Sequence, residues 1–223
     1  MSYYPVFLDL TGRKVVVVGG GAVALRKIES LLECGASVYV ISRDLAPELE
    51  DLLDKGEIRL IANEYDESCI KDAFLIIIAT NDGDLNRRIS EAAKERNILV
   101  NVVDQPEECS FIVPSVVRRG DLLIAVSTSG RSPALAKRIR ETLDAQFGKE
   151  YESFLNMMGR IRKELLLKDM QEVDRGRIFH ALVDSNILES IRKQDLNFVA
   201  SELERILGRK FFQKDVIEYL KGE

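Results

Sequence analysis

A chain of 223 residues with ordinary apolar and charged fractions is long enough for one sizeable core, or for a core domain with a smaller appendage. Its formal net charge of -5 argues against general nucleic-acid binding, which needs a basic face to neutralise phosphates. The three cysteines, Cys34, Cys69 and Cys109, have neither the count nor the spacing of a disulfide framework or zinc knuckle, and read as reduced thiols.

The N-terminal MSYYPVFLDLTGRK lacks the basic and long apolar regions of a signal peptide. The longest apolar run, Ala73 to Ala79, is too short to span a bilayer. A cytoplasmic protein with no membrane partner is the expectation.

From Lys14 the pattern alternates. Val15 to Val18 reads as a buried strand. Ala22 to Cys34 reads as a helix, with Ala22, Leu25, Ile28, Leu31 and Leu32 on one face and Gly35 as its stop. Ser37 to Ile41 is a second strand and Leu45 to Asp54 a second helix. Ile58 to Ile61 and Phe74 to Ile78 are further strands, Asp84 to Arg96 a polar-faced helix, and Leu99 to Val103 a fifth strand. Strands apolar on both faces and separated by single helices predict a Rossmann-like α/β fold, a doubly wound parallel sheet covered on both sides.

After Pro106 the rhythm changes. Phe111 to Val117 and Leu122 to Ser127 predict an antiparallel hairpin turning over Arg118 to Asp121. A helix follows over Pro133 to Phe147, capped by the serines of STSGRSP. The remainder reads as successive helices, broken at Asp174–Gly176 and at Gly208. The expected organisation is a nucleotide-binding domain over 1–113, a hairpin-plus-helix segment over 114–148 and a helical C-terminal domain over 149–223.

The segment VVVVGGGAVALRK places Gly19, Gly21 and Ala24 at a strand-to-helix junction. The first glycine permits the tight turn, and the second lets a pyrophosphate approach the backbone. The small third residue lets the helix pack on the sheet, and the helix N-terminus offers N–H donors to phosphate. Sterics alone, on this reading, leaves three consecutive glycines unexplained. Beyond the second strand stand Ser42, Arg43 and Asp44. Asp44 is placed to bind the ribose hydroxyls of NAD or to cap the next helix, and Arg43 to hold the 2′-phosphate of NADP. Thr80 and Asn81, after the fourth strand, lie where such a sheet presents residues to a cofactor; Asn81 or Asp82 is alternatively a helix cap. Asp104 ends the fifth strand on the same rim. There it is either a general base with a raised pKa, shielded by ligand, or a turn residue before Pro106.

Four blocks, GGGAVALRK, IIIATND, NVVDQPEECSFIVPS and IAVSTSGRSPALAKRIRE, follow the opening YPVFLDLTGRKVVVVGGG. In this order and spacing they resemble the precorrin-2 dehydrogenase/sirohydrochlorin ferrochelatase family, which includes the N-terminal part of fused siroheme synthases. The resemblance is dense over residues 3–147 and agrees only in character beyond. It implies NAD-dependent oxidation of precorrin-2 to sirohydrochlorin in sirohaem biosynthesis, and in some members insertion of ferrous ion. It also implies a homodimer built on the hairpin and following helix, and a stand-alone form without the methyltransferase domain. Asp104 matches the family's key aspartate, and Ala22, Val23, Arg43 and Asp44 match its NAD-contact positions.

A substrate rich in carboxylates needs fixed positive charge. Arg118, Arg119, Arg131 and Lys137, with Thr128 and Ser129 of the turn opening the last helix of the match, are the candidates. The family frequently has serine where this chain has Thr128. Leu135, Ile139 and Leu143 form a stripe suited to burial against another element. The single histidine, His180, lies among apolar neighbours and reads as packed or half-exposed, and no resident metal site is expected. The alternative to an enzyme is a non-catalytic NAD-sensing module of the same fold.

Overall fold

The computed structural model describes residues 3–168 and 170–222. The chain divides into two compact units, one ending at Val113 and the other beginning at Pro114.

In the first unit the strands are β1 (Lys14–Val18), β2 (Ser37–Ile41), β3 (Ile58–Ala62), β4 (Leu75–Ile78) and β5 (Leu99–Val102). They form one parallel sheet in the order β3-β2-β1-β4-β5, with Val15 opposite both Val38 and Leu75, and Leu75 opposite Leu99. The β-branched run of β1 occupies the centre. Val15, Val16 and Val17 have no exposed surface, and each buried side chain contributes roughly 1.5–3 kcal/mol. Alternation divides the sheet's residues between two cores. Val15, Val17, Leu75 and Ile77 pack with helices α1 (Ala22–Glu33) and α2 (Pro47–Asp54). Val16, Val18, Ile76, Ile78, Val100 and Val102 pack with α3 (Gly83–Glu95).

Four details depart from the sequence reading. The buried stripe of α1 is Ala24, Ile28 and Leu31, and Ala22 is exposed in the first turn. Helix α2 starts at Pro47, because Ala46 before the proline is held extended. Strand β3 is an edge strand with Arg59, Leu60 and Ile61 exposed, not one buried on both faces. Its connection to β4 carries a single 3-10 turn, Glu67–Ile70, closed by Asp66 accepting from the Ser68 N–H at 2.9 Å, so these two strands are not separated by an α-helix.

In the second unit β6 (Ser115–Arg119) and β7 (Leu122–Val126) pair antiparallel around Gly120 and Asp121, so Arg118 and Arg119 lie in the strand rather than in the turn. Helix α4 (Pro133–Gln146) begins with Ser132 accepting from the Leu135 N–H at 3.3 Å. Then come α5 (Glu150–Leu166), α6 (Glu172–Val183), α7 (Ile187–Arg192), α8 (Leu196–Leu207) and α9 (Gln213–Leu220). Their core contains Phe154, Met157, Ile161, Leu182, Ile187, Val199, Leu203 and Val216. The predicted break at Asp174–Gly176 is instead the interior of α6. Gly208 does end α8, in the left-handed conformation at φ 69°. No helix among the described residues is long and apolar enough to cross a membrane.

Candidate functional site

Strand order reverses between β1 and β4, and the crevice beyond their carboxyl ends is where a doubly wound sheet takes its ligand. The three glycines at that edge serve different purposes. Gly19 has φ +117°, and a Cβ there would stand 2.5 Å from the Ala79 carbonyl oxygen. A Cβ on Gly20 would stand 2.1 Å from the Asp44 carbonyl oxygen and 2.5 Å from Ser42 Oγ. Sterics therefore accounts for Gly19 and Gly20 but not for all three glycines together. Gly21 is different: a Cβ there meets nothing within 4 Å and its φ of -90° suits any residue. It is the N-cap of α1, which has neither a side-chain cap nor an acidic residue in its first turn. A bare backbone and uncapped N–H groups at the switch point fit a pyrophosphate. Ala22 and Val23 line that first turn exposed, while fully buried Ala24 brings the helix onto the sheet.

After β2, Ser42 Oγ donates to the Asp44 carbonyl at 2.6 Å and closes the turn against Gly20. Asp44 is an exposed carboxylate and caps nothing, since the N-cap of α2 is Ala46. Arg43 pairs with Glu64 at 2.7 Å. A free carboxylate beside the glycine turn suits ribose hydroxyls, and Glu64 adds negative charge unfavourable to a 2′-phosphate.

After β4, the Thr80 hydroxyl donates to Oδ1 of buried Asn86 at 2.5 Å, and Asn86 Nδ2 donates back to the Thr80 carbonyl at 3.2 Å. Asp82 caps α3 through the Leu85 N–H at 3.0 Å. Thr80 is thus held by the fold, Asp82 is the cap, and Asn81 stands exposed between them.

Asp104 follows β5 in the left-handed conformation, φ 60°, with its side chain exposed. Its turn is tied down on several sides. Asn101 Nδ2 donates to the Phe111 carbonyl at 3.0 Å, the Val102 N–H donates to Cys109 Sγ at 3.1 Å, and Ser90 Oγ donates to the Glu108 carbonyl at 2.8 Å. Burial pushes the Cys109 thiol above its ordinary range, so it acts as a neutral hydrogen-bonding group. Asp104 also lies within electrostatic reach of Lys27 on α1. Lys27 is half-buried, and among the described residues no hydrogen bond or ion pair engages its ammonium group. Burial, then neighbouring Arg26, lower its pKa, and Asp104 pulls in the opposite direction. Sequence reading passed over Lys27 although it closes the quoted block GGGAVALRK.

The second unit holds the remaining candidates. Arg119 is committed to the end of α4. Its Nε donates to the Phe147 carbonyl at 2.7 Å, and Nη2 donates to the Asp144 carbonyl and carboxylate at 2.9 and 2.8 Å. It is withdrawn as an anion ligand. Thr128 Oγ1 donates to the Ser132 carbonyl at 3.0 Å and accepts from the Ser132 N–H at 3.1 Å, which forms the turn before α4. Ser129, at φ 52°, and Arg131 are exposed on that turn, Lys137 lies opposite Glu141 at 4.0 Å, and Arg118 is exposed on β6. His180 is exposed in the last turn of α6 rather than packed. No group of three or more His, Cys, Asp or Glu side chains gathers among the described residues.

The switch-point turn, the uncapped helix and the exposed carboxylate after β2 are the features of a dinucleotide-binding protein of the doubly wound class. A family model for NAD(P)-binding domains matches residues 6–115, and one for the central part of sirohaem biosynthesis proteins matches residues 119–146. The siroheme synthase of Actinobacillus succinogenes is 36% identical over 211 residues, 95% of this chain and 44% of that protein. The siroheme synthase of Neisseria meningitidis serogroup C is 37% identical with the same coverage of each. The chain thus spans less than half the length of these curated relatives. Among solved structures, SirC, a precorrin-2 dehydrogenase, superposes with a TM-score of 0.77 at 29% identity, over 93% of this chain and all of that one. The chain belongs to the sirohaem-biosynthesis family that joins the siroheme synthases and the precorrin-2 dehydrogenases.

Proposed function

We propose that the protein is a cytosolic NAD-dependent dehydrogenase that oxidises precorrin-2 to sirohydrochlorin. The observation that carries the reading is the position of Asp104. It is an exposed carboxylate on a pinned turn, within electrostatic reach of the helix whose N-terminus seats the dinucleotide. Two hydrogens leave the substrate, and bound NAD would supply the acceptor for the one that departs as hydride. Asp104 takes the other as a proton, with the αL turn fixing its carboxylate at the rim. Gly21 and the first turn of α1 would hold the pyrophosphate, Asp44 would bind the ribose, and Asn81 would meet the ribose or nicotinamide end. Arg118, Arg131 and Lys137 are retained as binding groups for substrate carboxylates, with the Ser129 N–H and hydroxyl beside them.

Anaerobic turnover of precorrin-2 with NAD, read as NADH absorbance and sirohydrochlorin formation, tests this function. In Asp104→Asn, kcat falls about 10²–10⁴-fold, the usual share of a general base, while NADH affinity is kept within about twofold. Wild-type protein that binds NADH and turns over nothing would leave the sensing module. Ferrous ion, as a second substrate, would be inserted with Asp104 receiving the pyrrole protons. Metal-dependent loss of sirohydrochlorin above an enzyme-free control tests that activity separately. Exposed Leu135 and Ile139 on α4 support a homodimer through this helix.

A further inference from the structure

Arg43 and Glu64 stand 21 positions apart in the chain and meet at the ligand edge of the sheet. The parallel pairing of β2 with β3 brings them together. The Ser42 N–H donates to the Ala62 carbonyl at 3.2 Å, and Arg43 and Glu64 each lie two residues past the end of their strand. There Arg43 Nη2 donates to Glu64 Oε1 at 2.7 Å. The same turn is locked to the glycine loop. The Asp44 carbonyl and Ser42 Oγ leave no room for a Cβ on Gly20, and the Ala46 N–H donates to the Gly20 carbonyl at 2.8 Å. Arg43 and Asp44 also line one groove of about 470 Å³ between α2 and β3, with Glu50 and Asp54 on its wall.

The residues after the second strand decide between the two nicotinamide dinucleotides. A carboxylate takes free ribose hydroxyls, and an arginine takes a 2′-phosphate. This chain carries one of each, side by side. Glu64 breaks the tie, because the guanidinium that a phosphate would need already has a carboxylate on it. Two carboxylates against one guanidinium also leave the spot negative, facing a phosphate of charge about -2. With side chains 73% and 71% exposed, the ion pair adds little to stability. Its consequence falls on what binds beside it.

We propose that Glu64 is a specificity-determining residue, which turns the site against NADP by occupying Arg43. The inference rests on the dinucleotide lying at the glycine turn, and it stands apart from the choice of tetrapyrrole substrate. NADP would have to break the Arg43–Glu64 pair or leave its phosphate facing two carboxylates, and either course loses affinity. NAD carries no group that needs Arg43 and meets no such penalty. Without the Glu64 charge, the donors of the guanidinium are free for a forked contact with phosphate.

The test titrates NADH and NADPH, by the fluorescence of the reduced nicotinamide, into full-length wild type, Glu64→Gln, Arg43→Met and the double variant. Wild type should bind NADH more tightly than NADPH. Glu64→Gln should tighten NADPH about tenfold, the scale of one charge-assisted contact, and leave NADH within about twofold. Adding Arg43→Met should cancel that gain, and added salt should shrink it. The melting temperature of Glu64→Gln should match wild type, since the pair is exposed. Unchanged NADPH affinity in Glu64→Gln, or equal tightening of both nucleotides, overturns the inference. A gain that survives the loss of Arg43 reflects one negative charge removed and nothing more, and overturns it too. Wild type that binds neither nucleotide brings down the dinucleotide site and this inference with it. The titration needs no tetrapyrrole, so protein that shows the expected pattern but leaves precorrin-2 unchanged keeps the inference and loses the dehydrogenase.

Discussion

The glycine triplet shows how one residue type serves two unrelated demands within three consecutive positions. Gly20→Ala forces a Cβ to 2.1 Å from a backbone carbonyl that cannot step aside, and should cost about 1–3 kcal/mol of stability. Gly21→Ala meets open space, so its melting temperature should match wild type while NADH affinity drops at least about tenfold. Thermal denaturation and NADH fluorescence titration on the pair separate the two roles. Equal loss of stability in both would remove the argument that Gly21 is bare for a ligand. The motif itself was legible in the sequence because its spacing encodes a turn, but which glycine serves the fold depends on Asp44 and Ala79, brought there by other strands. Glu64 escaped for the same reason. In sequence it is one more acid after a strand, and only the pairing of β2 with β3 brings it to Arg43. Arg119 is the converse case, a cation that looked available until the end of α4 claimed its donors.

Among the elements, the strands of the parallel sheet could be read almost to the residue, since β-branched runs between turn residues have few other uses. The second unit was less readable. Asp174, Arg175 and Gly176 look like a helix break, yet α6 runs through them. Ile178, Phe179 and Leu182 anchor it in the helical core, and a single interior glycine costs only about 1 kcal/mol. Contacts distant in sequence also tie these helices together. Glu150, at the start of α5, accepts from Arg192 of α7 at 2.6 and 3.0 Å on one carboxylate oxygen. Burial raises its carboxyl pKa, but the hydrogen bonds and charge of Arg192 outweigh that and hold it below the ordinary 4.5. A carboxylate depressed in the folded state stabilises fully above its unfolded value and loses that contribution as pH falls through the folded one. The melting temperature should therefore decline as pH drops below about 4.5, and Arg192→Met should flatten that part of the profile. A variant as acid-sensitive as wild type would assign the decline to other carboxylates.

For the molecule as a whole, the open question is what covers α4. Its single well-buried residue is Ala136, while Leu135 and Ile139, one turn apart, are 49% and 38% exposed, and Val116 on β6 is 40% exposed. Scattered apolar residues on a surface need no explanation, but a pair at helical spacing does. The stripe was visible in the sequence and was assigned to burial; the isolated chain leaves it open, as expected if a second copy supplies the missing surface. A two-fold pairing would set each α4 against its counterpart, so one substitution strikes the interface twice. Leu135→Glu with Ile139→Glu should convert a dimer into a monomer in size-exclusion chromatography with light scattering. The melting temperature of the monomer should no longer depend on protein concentration, because assembly stabilises only the folded state. NADH affinity should stay within about twofold, since the glycine turn and Asp44 belong to the first unit. Wild type that is monomeric at micromolar concentration would sink the pairing and leave the α4 stripe to some other partner.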